Sequence, residues 1–245
     1  MARQLYDYWF VQFDFPDENG RPYKSSGGKM VWDETLKRKI PSRWHVEKLG
    51  NVAGFRNGIN YSKDEVGKTH PIVNVRNISS TTFLLDGETF DSIEIANDRE
   101  ANYIISSDDI IIARSGCPGA TRILLESADT LFCGFIICCT PANNAYRNII
   151  AFRLKQLEGT NATKSGGSIL QNVSQDTLKR VLITVPTEDV LRKFNYSVNL
   201  ILRRLLLCTK EIKSLGIQRD ELLPLLMNGQ VSVMPSEVNC DLSLD

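Results

Sequence analysis

Two different periods of apolar residues divide this chain. Between residues 44 and 186, short apolar runs are separated by turn residues: Pro71-Ile-Val-Asn-Val75, Tyr103-Ile-Ile105, Ile110-Ile-Ile-Ala113, Phe135-Ile-Ile-Cys-Cys139, Ile149-Ile-Ala-Phe152 and Val181-Leu-Ile-Thr-Val185. Their shortness and β-branched content predict strands. No long helical periodicity stands out before residue 187. Beyond it, Leu191, Phe194, Val198, Ile201, Leu205, Cys208, Ile212, Leu215, Arg219, Leu222 and Leu226 follow alternating steps of three and four. That is the a/d heptad seam of a helix that winds around another helix. At roughly 1.5–3 kcal/mol for each large apolar side chain taken out of water, the stripe contributes too much to be left in solvent. A second helix must cover it.

Thr187 can cap the start of this helix, and Glu188 and Asp189 stand where the positive helix end favours acidic groups. Pro224 removes a backbone donor and Asn228-Gly229 supplies a stop, so the regular part is expected to end near Leu223. Roughly 36 residues at a rise of about 1.5 Å give a helix about 55 Å long. Leu200, Leu202, Leu206 and Leu207 lie off the seam, so part of the helix is expected to be covered by its own domain.

The stretch from Leu5 to Phe15 packs six aromatics into eleven residues and then meets the turn cluster Pro16-Asp-Glu-Asn-Gly20. It reads as the end of a helix or strand that needs a docking surface. Residues 17–40, rich in Gly, Ser and Lys, read as an extended linker, with a compact domain starting near Pro41. The expected organisation is therefore 1–40 as the end of a preceding element plus linker, 41–186 as a domain, 187–229 as the long helix and 230–245 as a tail without an assigned role. The fold class is α+β: a mainly β domain with short helices, followed by a long C-terminal coiled-coil-forming helix.

Lys plus Arg and Asp plus Glu balance at 29 each, which excludes a uniformly basic coat but not a local patch. The basic excess is central: residues 111–185 carry 8 basic and 4 acidic side chains, against 14 and 17 in residues 1–110. Six cysteines contain no CxxC pair, and His45 and His70 have no companion ligands at metal spacing, so the thiols read as reduced and buried and the histidines as structural. No bound metal is expected. Residues 1–12 lack the features of a secretory signal and no apolar run reaches membrane-spanning length, so a cytoplasmic location and no membrane partner are expected.

No phosphate-cradling G-x-G-x-x-G or G-x-x-x-x-G-K-[ST] loop occurs, and no Asn/Asp-Pro-Pro-Tyr tetrad. Glu211-Ile-Lys213 has the Glu-x-Lys spacing of metal-dependent nucleases but lies on the heptad helix, where it reads as a solvated charge pair. Two segments suit a polyanion better than a small substrate. Arg114-Ser115-Gly116-Cys-Pro-Gly119-Ala-Thr-Arg122 runs from a strand into a Gly/Pro loop bracketed by two arginines, with Arg forks and backbone N–H groups that phosphate oxygens need. The alternative is a tight hairpin whose glycines only satisfy turn geometry. Lys164, Ser165 and Gln171 bring hydroxyls and an amide in a second Gly/Ser loop, or else form a plain surface loop. Asn74 and Arg76, two residues apart in an apparent strand, are expected on one face as base-edge readers, or as hydrogen-bond partners of a turn.

Taken in order, several stretches resemble the DNA-specificity subunit of Type I restriction-modification enzymes. They are Leu5 to Pro16, Pro41-Ser-Arg-Trp44 with Leu49-Gly50, Ile111-Ile-Ala-Arg-Ser-Gly116 with Pro118-Gly119-Ala120, Gly167-Ser168 with Leu178, and Arg219-Asp-Glu-Leu-Leu-Pro-Leu-Leu-Met-Asn-Gly-Gln230. The resemblance implies two target-recognition domains, each followed by a long helix, with the helices paired antiparallel as a spacer. It implies double-stranded DNA, methyltransferase subunits and, in the full complex, restriction subunits as partners, no cofactor, and no chemistry by the subunit itself. This chain matches one recognition domain (41–186) and one helix, so it resembles the second half of such a subunit. Two copies, or this chain and another specificity half, would pair through Leu191, Phe194, Val198, Ile201, Leu205, Ile212, Leu215 and Leu222 and rebuild a two-headed reader. The expected DNA contacts are Asn74, Arg76, Arg114, Ser115, Arg122, Lys164, Ser165 and Gln171. The competing reading is a truncated or silent segment that acts only as a helix-mediated interaction protein.

Overall fold

A computed structural model describes residues 1–62, 65–96, 99–126, 129–159 and 173–230. Two compact units are distinguished, Met1–Leu200 and Ile201–Asp245. The first holds all the strands: β1 (Met30–Asp33), β2 (Arg38–Pro41), β3 (His45–Lys48), β4 (Ala53–Asn57), β5 (Lys68–Val73), β6 (Asp91–Ile95), β7 (Ile110–Ala113), β8 (Thr121–Ile123), β9 (Leu131–Phe132), β10 (Ile136–Pro141) and β11 (Leu182–Val185). Short helices α1 (Ala2–Tyr6), α2 (Leu49–Val52), α3 (Val75–Ser80), α4 (Arg147–Leu157) and α5 (Gln175–Lys179) are interspersed, and α6 runs from Glu188 to Met227. The α+β class and the long C-terminal helix agree with the expectation from the sequence.

A four-stranded sheet in the order β4-β10-β7-β8 is the scaffold, accompanied by a three-stranded sheet β6-β5-β9 and two-stranded pairs β1-β2 and β11-β3. The pleat sends Ile111, Ala113, Ile136 and Cys138 into one core with Ile72, Val73, Leu131 and Phe132. On the opposite face Ile112 and Thr121 meet Leu154 of α4 and Leu178 of α5. With both faces covered, these strands are continuous apolar runs rather than alternating ones. Burial pushes the Cys138 thiol up to about 12, so it stays protonated.

Some elements differ from the sequence reading. Ile149-Ile-Ala-Phe152, read as a strand, forms the middle of the eleven-residue helix α4. Arg147 through Phe152 and Leu154 are all buried whatever their polarity, which blurs the amphipathic period. Tyr103-Ile-Ile105 is not a strand; Ile105 is buried, and its N–H donates to the Thr130 carbonyl at 2.8 Å. Here Arg56 of β4 fastens the chain, donating to the Asn102 and Ile104 carbonyls at 2.9 Å each and to Asp109 at 2.5 Å. Asn74 and Val75 are not strand residues, because β5 stops at Val73 and α3 begins.

Residues 1–40 lie in the same compact unit as the sheets. The aromatic stretch is helical through Val11, its second half a wider π turn in which the Gln12 N–H reaches back to the Asp7 carbonyl at 2.9 Å. Its docking surface is the start of α6 and its neighbours: Phe10 meets Phe194 at 4.8 Å and Trp44 at 5.2 Å, and Trp9 lies 5.6 Å from Phe194. Within 17–40, expected as linker, the hairpin β1-β2 pairs Val31 with Ile40 and Trp32 with Lys39. Pro224 does not end α6, which continues to Met227. A proline this close to the terminus forfeits one hydrogen bond, and the last turn still closes through the Asn228 N–H to the Pro224 carbonyl at 3.0 Å.

Candidate nucleic-acid interface

The loop joining β7 to β8 closes as a hairpin. Ala113 and Ala120 bond across it at 2.9 Å, and the Gly119 N–H returns to the Ala113 carbonyl at 2.9 Å. Gly116 and Gly119 adopt φ of 77° and 82°, a left-handed conformation that glycine takes without strain. At Gly116 a Cβ would come within 2.8 Å of Val75 Cγ1, so the loop tip rests against α3. These glycines make the turn of the hairpin, on which polar residues stand. Arg114 is exposed and Ser115 half-buried on it. Among the described residues the Arg114 guanidinium has no hydrogen-bond or ion-pair partner.

Asn74 and Arg76 are close to this loop but not on a strand face. Asn74 caps α3 in a reciprocal capping box with Asn77 and donates to Asp91 Oδ2 at 2.8 Å. Arg76 forms an ion pair with Asp91 Oδ1. One carboxylate thus engages both groups, and any anion that recruits them must compete with it.

Arg122, expected as a DNA contact, is turned inward in this structure. Its side chain is only 5% exposed, lies 3.2 Å from Glu158, and donates to Thr81 Oγ1 at 3.2 Å and the Thr121 carbonyl at 2.8 Å. Arg122 lies opposite Ile111 on β8, the edge strand of the sheet, and it is the bonds to Thr81 and Glu158 that hold its side chain against the protein. Lys155 also binds Glu158, at 2.5 Å, and burial lowers its ammonium below the ordinary value. Lys164, Ser165 and Gln171 lie outside the described residues.

Two residues that sequence reasoning missed, Phe135 and Val173, bond the Arg114 backbone. The Arg114 N–H donates to the Phe135 carbonyl at 2.8 Å and its carbonyl accepts from Val173 at 2.8 Å. Gln175 Nε2 donates to Asn57 Oδ1 at 3.0 Å. The only signal in the sequence was Gly134, which marks Phe135 as a turn residue rather than the first residue of a buried strand. Among the described residues no group of His, Cys, Asp and Glu is placed to hold a metal ion, and no helix is long and apolar enough to cross a membrane.

The heptad seam is divided. Leu191, Phe194 and Val198 are buried at 5%, 0% and 0% exposure inside the first unit. Ile201 is half-buried, whereas Leu205, Ile212, Leu215 and Leu222 in the second unit are 46%, 69%, 56% and 51% exposed. Of the off-seam leucines, Leu202 is buried, Leu206 half-buried, and Leu200 and Leu207 exposed.

No family model matches this sequence. Over 238 residues it is 21% identical to the Type I restriction enzyme MjaIX specificity subunit of Methanocaldococcus jannaschii, an alignment that takes in 95% of this chain and 52% of that protein. The chain thus spans about half the length of that curated relative. The fold is shared with the S subunit of a Type I restriction-modification system from M. genitalium, at a TM-score of 0.55 and 21% identity over 91% of this chain and 53% of the other. It is shared with the HsdS subunit from Thermoanaerobacter tengcongensis at 0.51 and 12% identity over 86% and 44%. A chain from a structure concerned with assembly and conformational transition of the type I R-M system gives 0.52 and 13% identity over 90% and 50%.

Proposed function

We propose that this chain is a DNA-recognition subunit of a Type I restriction-modification system, non-catalytic itself, that reads one half of a bipartite target and docks methyltransferase subunits. The observation that carries the reading is the divided seam in a chain whose fold matches half of a specificity subunit. The first turns of α6 complete the core of the domain, and the following turns leave a leucine row without cover. A second long helix of the same kind, from another copy or another specificity half, supplies that cover by a/d packing. The protein acts where its DNA and methyltransferase partners are, in the cytoplasm.

Purification with the methyltransferase subunit, followed by mobility-shift titration of duplex DNA across a salt series, tests the proposal. Selective binding that weakens steeply with salt and is lost in Arg114→Ala is the expected result. Salt-independent association, indifferent to Arg114, contradicts it. The exposed leucine row would by itself also serve an interaction protein that engages methyltransferase without reading DNA. Co-purification with methyltransferase and no sequence preference selects that reading instead.

A further inference from the structure

At one end of the four-stranded sheet three residues adjoin along the backbone: Asn57 ends β4, Arg114 follows β7 and Phe135 precedes β10. Ile137 of β10 pairs with Asn57 of β4 and with Ile112 of β7. Phe135 stands two residues before Ile137 and Arg114 two residues after Ile112, so continuing the strand alternation by one step past the strand ends assigns both to the face of Asn57. The Arg114 bond to the Phe135 carbonyl continues the ladder one step past β7.

The mounting is rigid. Phe135 occupies a turn closed by the Ile136 N–H to the Cys133 carbonyl at 2.9 Å, and the Gly134 N–H donates to the Ile59 carbonyl at 2.8 Å. A Cβ at Gly134 would lie 2.0 Å from Asn60 Oδ1, so a larger residue there requires the Asn60 side chain to move. On this support Phe135 is 63% exposed, an unfavourable placement for an aromatic residue unless something covers it.

The polar groups around the ring are those that read base edges. Among the described residues the Arg114 fork and the Asn57 amide N–H groups have no partners, while the Asn57 oxygen accepts from Gln175. No Asp or Glu occurs in 57–60, 113–116, 133–136 or 173–175, and the next carboxylate, Asp176, is held by Lys179 at 3.7 Å. A fork, an amide donor and an exposed ring match the major groove, where guanine presents N7 and O6 acceptors and thymine its methyl group; the minor groove displays no methyl.

We propose that Phe135 and Arg114 are specificity-determining residues for neighbouring base pairs of duplex DNA, the ring packing on a thymine methyl and the guanidinium taking the acceptor pair of an adjacent guanine, with Asn57 donating beside them. This rests on the DNA-recognition reading above. The full chain, its Phe135→Ala and Arg114→Ala variants, and a randomised duplex library provide the test. In the duplex selected by the unaltered chain, each thymine is replaced by uracil, which removes only the methyl, and each guanine by 7-deazaguanine, which removes N7. One thymine is expected at which uracil weakens binding about tenfold in the unaltered chain and not in Phe135→Ala, next to a guanine that behaves likewise with Arg114→Ala. Variants that unfold at the original temperature yet keep the original response at every position overturn the proposal, as does loss of affinity that is equal for thymine and uracil. A chain that selects no duplex at all overturns the DNA reading itself.

Discussion

The Arg122 guanidinium lies 3.2 Å from the Glu158 carboxylate, joining β8 to the end of α4 beneath the loop that exposes Arg114. Two arginines eight positions apart in the sequence therefore have opposite tasks, one holding the scaffold and one facing outward. Removing one member of a buried pair leaves the other charge uncompensated, at roughly 3–5 kcal/mol. Arg122→Ala is expected to lower stability by about 3 kcal/mol in urea denaturation, because Lys155 still attends Glu158. Arg114→Ala is expected to stay within about 0.5 kcal/mol of the unaltered chain. Equal losses from the two would contradict this assignment.

Phe194 is fully buried and touches Tyr6, Trp9, Phe10 and Phe152, which makes it the point where the N-terminal aromatics and α4 meet α6. Phe194→Ala should cost about 3–5 kcal/mol, read as a large drop in Tm. A shift of no more than a few degrees would mean that residues 5–15 do not depend on this contact.

Along the second unit the opposite result is expected. Ile212→Asp with Leu215→Asp alters only exposed positions, so thermal unfolding of the first unit is unchanged. Light scattering of the unaltered chain should report a dimer, and of the double variant a monomer, since charges at a/d positions are incompatible with a packed seam. A monomer in both cases removes self-pairing and leaves a different helix as the partner.

Asp14 gives a pH dependence. Burial alone would raise its carboxyl, but the Ser25 hydroxyl and N–H, each donating at 2.7 Å, together with nearby Lys24 hold it below its ordinary value. A carboxyl whose folded value is depressed contributes stability that is present above its unfolded value and disappears as pH falls through the folded one. Acid titration of unfolding should therefore show a loss of stability below about pH 4 that is smaller in Asp14→Asn. Identical acid profiles would show that Ser25 does not stabilise the charged form.

Period and turn chemistry made β7, β10, β11 and α6 legible, because each is a run of apolar residues bounded by Gly, Pro or a capping residue. α4 was not, since its first six residues are all buried whatever their polarity, which blurs the amphipathic signal, and its Ile-Ile-Ala-Phe core is as acceptable to a strand. The hairpin β1-β2 was hidden by a polar, glycine-rich composition that suits a linker equally well. Of the candidate site, Arg114 and Ser115 fell where a loop residue was expected, while Phe135 was concealed in an apolar run.

The sequence by itself determined that a β-rich domain precedes a long helix with a heptad seam, because both signals are local periodicities that every residue in the segment repeats. Only the tertiary structure decided which residues of each pattern face inward. Leu191, Phe194 and Val198 share a period with Leu205, Ile212 and Leu215, yet the first set is buried and the second exposed. Arg114 and Arg122 share a side-chain chemistry, yet one stands on a loop and the other within a strand covered on both faces. Burial depends on what other segments bring to a surface, and no period along a single segment encodes that.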